Sequence, residues 1–215
     1  MTYKITQLKP FINNKEFQAI KTPIRNNFIT EGPQSKKFLQ KLLKIIGSKY
    51  GVLAPNGTLA IAVSIMSLGL KKGDEIIIPN FTFYGSYSAA ILAGLKPILC
   101  DVDRRNFQID VDSAEKIITS KTKAIMPVHI YGGAVNMDKI LKFSKKHKLK
   151  IVEDAAQALG VKFKGKSAGS FGHVGAFSFY ADKALTTGEG GLIVTNSKNT
   201  FKKLMLIRNQ GRLKS

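Results

Sequence analysis

The sequence predicts an α/β fold, a three-layer sandwich built around a mainly parallel sheet. From about residue 50 onward, short apolar runs alternate with helical patterns, which is typical of parallel strands joined by helices. Runs such as Ile76 to Ile78 are apolar at every position, as expected of strands that are covered on both faces. The chain has 215 residues, of which 44% are hydrophobic, so it is long enough to bury one substantial core.

The first part of the chain is predicted to be a helical segment, residues 1–48, followed by one large domain, residues 49–215. Apolar residues at helical spacing predict a helix over 36–46, and Gly47 would end it. Residues 50–54 then begin the alternation of strands and helices. The candidate helix caps are Asn13, Asn14 and Ser35.

Within the large domain, the elements are assigned in chain order from runs of apolar residues and from helical spacing. The predicted strands are residues 50–54, 74–79, 97–102, 123–128, 150–153, 174–179 and 191–195. The predicted helices are residues 58–70, 84–93, 112–119, 136–147 and 198–208. Because ligands bind at the carboxyl ends of strands in such sheets, chemistry is expected at that edge.

Composition excludes several classes of protein. No window approaches the roughly 18 uncharged apolar residues of a membrane helix, and the N-terminus lacks the apolar core of a signal peptide. The expected compartment is therefore the cytoplasm, with no membrane partner. The single cysteine, Cys100, agrees with a reducing compartment, and the few His and Cys residues give no metal site.

The formal net charge of +20 has two interpretations. The lysines could coat a solvated surface, or they could bind a polyanion such as nucleic acid. Only five of the 34 basic residues are arginine, the residue preferred for base and phosphate recognition, and the lysines are scattered. We therefore expect no nucleic-acid partner, whereas a small molecule that carries a diphosphate suits a positive field.

Three groups of residues at strand or helix ends could carry chemistry. Asn56, Gly57 and Thr58 precede a helix, where free amides bind anions, although the same residues are common helix caps. Asp154 follows a buried strand and could point into a crevice or cap the next turn. Lys183 lies between an aromatic strand and a glycine-rich loop, where a partly desolvated amine becomes nucleophilic; alternatively it is one more surface lysine.

The combination of these groups indicates a pyridoxal-phosphate (PLP) site. PLP needs a phosphate cradle, a carboxylate for its ring nitrogen, a flat partner for its ring and a lysine for its aldehyde. The turn at Gly57, Asp154 and Lys183 supply three of these. The fourth would come from an aromatic side chain, with the candidates Phe81, Phe83 and Tyr84.

A set of motifs resembles one known family in content and in order. The strongest is the run Phe177 to Gly191, which reads FSFYADKALTTGEGG. The others are residues 56–58, 73–75, 79–83, 127–132 and 153–157. Together they resemble the PLP-dependent nucleotide-sugar aminotransferases of the DegT/DnrJ/EryC1/StrS type, over about residues 12–211. The resemblance implies the large domain of the aspartate-aminotransferase fold, PLP fold type I.

The resemblance also implies roles for individual residues. Lys183 would form the Schiff base to PLP, and Asp154 would keep the pyridine nitrogen protonated. Phe83 would stack on the ring, and Gln157 would lie near the phenolic oxygen of the cofactor. His129 would be structural, and Glu189 would fix its glycine loop. The phosphate would be held by Gly57, Thr58 and Ser178.

The implied reaction transfers an amino group from glutamate to a nucleotide-linked keto-sugar, such as a 4-keto-6-deoxyhexose, for surface polysaccharide synthesis. Members of the family are expected to be homodimers. Two departures stand out: Asn56 replaces the usual serine, and with 215 residues the chain is expected to lack the C-terminal small domain of the family. The alternative is therefore a catalytically incomplete fragment that acts only as a binding or dimerisation module.

Overall fold

The computed structural model describes residues 9–212, and the predictions for residues 1–8 and 213–215 lie outside this range. The α-helices are α1 (Asn14–Arg25), α2 (Pro33–Ile46), α3 (Gly57–Met66), α4 (Tyr84–Leu92), α5 (Val111–Ile117), α6 (Met137–His147) and α7 (Lys198–Arg208). The strands are β1 (Tyr50–Ala54), β2 (Glu75–Pro79), β3 (Lys96–Cys100), β4 (Thr122–Ile125), β5 (Lys150–Asp154), β6 (Lys162–Phe163), β7 (Lys166–Ser167), β8 (Val174–Ser178) and β9 (Gly191–Thr195).

Seven strands form one sheet in the order β1-β9-β8-β5-β4-β2-β3. The five strands from β8 to β3 run parallel, while β9 runs antiparallel to both of its neighbours, β1 and β8. The predicted α/β fold with a mainly parallel sheet is confirmed. The short hairpin of β6 and β7 was not predicted, because each strand has only two residues and shows no periodicity.

The helices cover both faces of the sheet and make three layers. Apolar residues of α3, α4 and α7 pack on one face, against alternate residues such as Ile76, Ile78 and Val152. The other face packs against α5 and α6 at one end and against α2 at the other, with residues such as Ile77 and Phe177. Ile76, Ile77 and Ile78 are fully buried, as expected of a strand covered on both faces.

The N-terminal helices begin at positions that differ in part from the predicted ones. Asn13 caps α1 as expected, since its side chain accepts the Lys15 N–H and Glu16 completes the capping box. The α2 helix begins at Pro33, so Ser35 lies in its first turn and does not cap it. The fixed φ of proline suits the first helical position, which explains the earlier start.

The sheet has one edge at which the carboxyl ends of its parallel strands meet, and this is the edge where the sequence predicts chemistry. The carboxyl ends of β2, β5 and β8 meet there. The turn from β1 into α3 lies at the same edge, because β9 is antiparallel to both β1 and β8, so that β1 and β8 point in the same direction. None of the helices within residues 9–212 has the length and apolar content required to cross a membrane.

Candidate functional site

A cavity of about 430 Å³ opens at the carboxyl edge of the sheet. Its walls come from the turn between β1 and α3, the start of α4, the end of β5 and the loop that follows β8. The structure brings together all the residues that the sequence predicted for the site. They are Gly57, Thr58, Phe83, Asp154, Gln157, Ser178 and Lys183.

The first turn of α3 presents free amide groups to this cavity. The Asn56 side-chain oxygen accepts the Leu59 N–H at 2.9 Å, and the Asn56 carbonyl oxygen accepts the Ala60 N–H at 3.0 Å. The N–H groups of Gly57 and Thr58 precede these and have no helical acceptor. Asn56 is therefore a helix cap, and the same turn can still bind an anion through the next two amides.

Close packing shapes this part of the cavity. A β carbon added to Gly57 would come within 2.8 Å of the Ser178 β carbon, so only glycine allows the turn to lie against β8. Similarly, a β carbon added to Gly85 would come within 2.8 Å of the Thr58 hydroxyl oxygen. The two glycines therefore leave the Ser178 and Thr58 hydroxyls beside the free amides of Gly57 and Thr58. These hydroxyl and amide donors are of the kind that binds a phosphate.

Asp154 ends β5 with its side chain in the cavity wall, only 5% exposed. One carboxylate oxygen accepts the Ala156 N–H at 3.0 Å, and the other accepts the Ser86 hydroxyl at 2.7 Å. Asp154 thus caps the following turn and also faces the crevice, so both interpretations of its position apply. Burial raises the pKa of the Asp154 carboxyl, while hydrogen bonds from Ser86 and Ala156 and the positive charge of the nearby Lys183 oppose that rise.

Glu153 points to the opposite side of β5 and has a different role. It is fully buried and accepts backbone N–H groups from Gly169 at 2.8 Å and Phe171 at 2.6 Å. The His129 ring accepts the Val135 N–H through Nδ1, so its Nε2 carries the hydrogen that it donates to Glu153 at 3.1 Å. This buried network joins β5 to the segment between β4 and α6 and to the loop before β8, which agrees with the structural role expected for His129.

Lys183 lies in the loop after β8, and its side chain is 18% exposed. Its Nζ lies 3.2 Å from the carboxylate of Asp182. The loop is closed at its base, since Phe179 donates its N–H to Gly190 and accepts the Thr187 N–H. Lys183 therefore projects from an ordered loop into the cavity that Asp154 also lines, and the interpretation as an ordinary surface lysine fits less well.

The three aromatic candidates for the partner of the cofactor ring differ in whether they face the cavity. Phe83 lines the cavity with a side chain that is 72% exposed, so its ring is free to contact a ligand. Phe81 packs instead against Phe107, with ring centroids 5.0 Å apart, and Tyr84 stacks on Tyr87. Of the three candidates, Phe83 is the one that faces the cavity.

Two polar residues of the site were missed in the sequence. Ser86 and Thr82 line the cavity close to Asp154, and their hydroxyl oxygens lie 2.9 Å apart. Thr82 lies within the motif of residues 79–83 but was given no role there, and Ser86 has no sequence signal because it lies in a helix of small residues. Gln157 was predicted, and its side-chain oxygen accepts the Tyr131 N–H at 2.6 Å, so its amide hydrogens are free to donate.

The residues present fit PLP. Free amides and hydroxyls suit its phosphate, and a buried carboxylate suits a protonated ring nitrogen. Lys183 offers an amine for its aldehyde, and Phe83 offers an aromatic face for its ring. The cavity that these groups share is large enough for a small aromatic cofactor.

Comparisons with known proteins identify the family of this chain. The chain matches the DegT/DnrJ/EryC1/StrS aminotransferase family over residues 10–215. It is 42% identical to GDP-perosamine synthase of Caulobacter vibrioides over 165 residues, which is 77% of this chain and 44% of that protein. It is 37% identical to GDP-perosamine synthase of Escherichia coli O157:H7 over 204 residues, 94% of this chain and 56% of that protein. The chain thus spans about half the length of the curated relatives it matches.

Solved structures match the same region. An aminotransferase from Psychrobacter cryohalolentis superimposes with a TM-score of 0.92 and 35% identity, over 95% of this chain and 53% of that one. An E. coli GDP-4-keto-6-deoxy-D-mannose-3-dehydratase with bound hydrated PLP superimposes with a TM-score of 0.88 and 32% identity, over 94% of this chain and 53% of that one. These matches confirm the predicted PLP fold and PLP as the cofactor, and the chain belongs to the DegT/DnrJ/EryC1/StrS aminotransferase family.

Proposed function

We propose that this chain is the cofactor-binding part of an aminotransferase that transfers an amino group to a nucleotide-linked keto-sugar. The observation that carries the proposal is the shared cavity of Asp154 and Lys183, with the free amides of α3 at its wall. A carboxylate, an amine and an anion cradle around one space are what PLP chemistry requires. The domain that carries these groups would extend over residues 49–215.

Each residue around the cavity has a proposed task toward the cofactor. The amides of Gly57 and Thr58 bind the phosphate, together with the hydroxyls of Thr58 and Ser178. Phe83 stacks on the ring, and the free amide hydrogens of Gln157 donate to the phenolic oxygen. These assignments are supported by the free donors on Gly57, Thr58 and Gln157 and by the exposed ring of Phe83.

The chemistry depends on two residues. When bound, PLP supplies an electron sink for negative charge on the carbon that carries the transferred nitrogen. Asp154 holds the proton on the ring nitrogen, since a buried carboxylate beside that atom favours the protonated ring. Lys183 would hold the cofactor through its aldehyde carbon, with loss of water, and the amino group of the donor would then displace it from that carbon. The freed Nζ of Lys183 would move the proton at the α-carbon of the donor.

For the substrate, we propose a nucleotide-linked 4-keto-6-deoxyhexose, with glutamate as the amino donor. Two of the relatives are GDP-perosamine synthases, which supports a nucleotide sugar. The net charge of +20 also suits a substrate that carries a diphosphate. The product would serve surface polysaccharide synthesis. The enzyme itself would act in the cytoplasm as a homodimer, with no nucleic-acid or membrane partner.

Some relatives in the comparison are GDP-4-keto-6-deoxymannose-3-dehydratases, so the reaction type needs its own argument. In the dehydratases of this family, the resemblance implies a histidine in place of the Schiff-base lysine. This chain has Lys183 at that position, between Asp182 and Ala184. The lysine therefore favours transamination.

The test of the proposal is the absorption spectrum of the chain with PLP. Wild type should gain a band near the visible edge, and Lys183→Ala should abolish it. Lys142→Ala is the control, because Lys142 is exposed on α6, away from the cavity. Borohydride reduction followed by peptide mapping should label Lys183, and labelling of a different lysine would contradict the assignment.

A second candidate function is that of a catalytically incomplete binding or dimerisation module. The observation that favours it is the length of the chain, about half that of the relatives. The two candidates are separated by adding glutamate to the PLP-loaded chain. Conversion of the band to that of the aminated cofactor supports transamination, whereas a stable band with no conversion supports the module.

A further inference from the structure

A chain of hydroxyl groups leads from the cavity wall to Asp154. Ser86, in the first turns of α4, is 1% exposed, and its hydroxyl oxygen lies 2.7 Å from Oδ2 of Asp154. The Thr82 hydroxyl oxygen lies 2.9 Å from that of Ser86. The three side chains therefore form one continuous hydrogen-bonded series between α4 and the end of β5.

The direction of these hydrogen bonds follows from the chemistry of the groups. An ionised carboxylate can only accept, so Ser86 donates its one hydroxyl hydrogen to Asp154. With that hydrogen used, the Ser86 oxygen can only accept, so Thr82 donates to Ser86. Successive donation in one direction polarises the series toward the carboxylate, which strengthens each bond.

The other groups that face Asp154 are less suited to this task. His129 commits both ring nitrogens, one to Glu153 and one to the Val135 amide. Lys183 pairs with the carboxylate of Asp182, 3.2 Å from its Nζ. Ser86 is the side chain whose hydrogen bond opposes most strongly the effect of burial on Asp154.

We propose that Ser86, supported by Thr82, is a positioning residue that keeps the Asp154 carboxylate ionised and turned toward the ring nitrogen of the cofactor. The effect on the cofactor ring rests on the proposed function, whereas the effect on the Asp154 carboxylate rests on the hydrogen bonds of the hydroxyl series alone. Without the Ser86 hydrogen bond, the buried carboxylate would hold a proton more tightly. The proton shared with the ring nitrogen would then lie closer to Asp154, and the ring would withdraw charge less well.

The first experiment uses the chain without cofactor. The carboxyl carbon of Asp154 is followed by ¹³C NMR during a pH titration and is assigned by its absence in Asp154→Asn. Ser86→Ala should move the titration of Asp154 to higher pH. Loss of a hydrogen bond to a charged group costs enough free energy to reduce the ionised fraction of Asp154 about tenfold at a pH below the midpoint of its titration.

The matched control is Ser64→Ala. Ser64 is a fully buried serine in the neighbouring helix α3, and its hydroxyl has no hydrogen-bond partner within residues 9–212. The substitution has the same size and burial, so it should leave the Asp154 titration unchanged. Thr82→Val, which removes only the outer donor, should shift the titration in the same direction as Ser86→Ala but less.

A second experiment uses the chain loaded with ¹⁵N-labelled PLP. In Ser86→Ala, the ring-nitrogen chemical shift should move toward that of an unprotonated pyridine, and Ser86→Thr, which keeps the hydroxyl, should reverse the change. If the Ser86→Ala and Ser64→Ala titrations coincide with that of wild type, the proposal for Ser86 is overturned. If wild type fails to bind PLP, the proposed function fails, while the carboxyl titration still decides the role of Ser86.

Discussion

Gly57 lies directly against Ser178, so closely that a β carbon on the glycine would come within 2.8 Å of the serine β carbon. The turn from β1 and the end of β8 meet here, and both face the cavity. The contact joins two parts of the chain that are 121 positions apart in the numbering. This close approach is the basis of the first prediction.

Gly57→Ala should weaken PLP binding about tenfold or more, because the turn must move away from β8 and its amides lose their alignment. PLP affinity is measured by titrating the absorbance band. Ser178→Gly removes the atom that the new methyl group would meet. Because Ser178→Gly also removes a hydroxyl that is proposed to bind the phosphate, the effect of Gly57→Ala is compared within each background. Gly57→Ala should weaken PLP binding less in Ser178→Gly than in wild type, and equal losses would contradict the steric explanation.

Asp154→Asn should stabilise the cofactor-free chain at neutral pH. Burial raises the pKa of the Asp154 carboxyl, so the folded state binds its proton more tightly than the unfolded state does. The contribution of this group to stability is full at acid pH, below the unfolded-state pKa, and is lost as pH rises through the folded-state pKa. The melting temperature of Asp154→Asn should thus exceed that of wild type at pH 7 by a few degrees. In a domain of this size, each kcal/mol added to the free energy of unfolding raises the melting temperature by about 2–4 °C.

The same variant separates stability from function. Its side-chain oxygen can still accept the Ala156 N–H and its amide can donate to Ser86, so the packing is kept. The melting-temperature difference should shrink toward acid pH, where wild type becomes neutral as well. PLP should still bind to some extent, but turnover should fall strongly, and equal turnover would rule out the proposed task of Asp154.

Glu153→Gln should destabilise the fold by about 2–4 kcal/mol, because the buried carboxylate accepts three backbone amides, from Gly169, Phe171 and Gly172, and the His129 ring. A side-chain amide has only one acceptor oxygen and would place N–H groups against donors. Urea denaturation measures the effect. Glu115→Gln is the control: its carboxylate is partly exposed beside Lys146, and its loss should cost less than about 1 kcal/mol.

Phe83→Ala should weaken PLP binding about tenfold with little change in the free energy of unfolding, since the ring is 72% exposed without ligand. Phe81→Ala is the matched control, because its ring packs on Phe107 outside the cavity. Affinity for PLP is compared by titration of the absorbance band. A larger loss in Phe81→Ala than in Phe83→Ala would show that the aromatic assignment is wrong.

Much of the site could be predicted because its signals are local in sequence. Gly57 and Thr58 begin a helix after a strand, Asp154 ends a buried strand, and Lys183 stands in a distinctive loop. Ser86 could not be found in this way, since its partner Asp154 is 68 residues away. It lies in α4, where a small polar residue among apolar ones has no distinguishing pattern.

The direction of β9 could not be predicted for a similar reason. Its apolar run, Gly191–Thr195, is equally compatible with parallel and antiparallel pairing. The strands beside β9 are β1, which is distant in sequence, and β8, which precedes it, and the pattern within β9 does not indicate its direction relative to either one. The start of α2 was misplaced locally, because Pro33 was not recognised as the first helical residue.

The position of β9 has a consequence for the order of folding. In the sheet formed by the described residues, 9–212, β1 is an edge strand whose partner is β9, so Tyr50–Ala54 joins the other strands through Gly191–Thr195. Such a distant pairing is slow to form, because a long stretch of chain must first be closed. Gly191 also lies against the carbonyl of Asn56, where a β carbon would overlap it. During synthesis, the turn between β1 and α3 therefore leaves the ribosome well before β9, the strand that fixes β1 in the sheet.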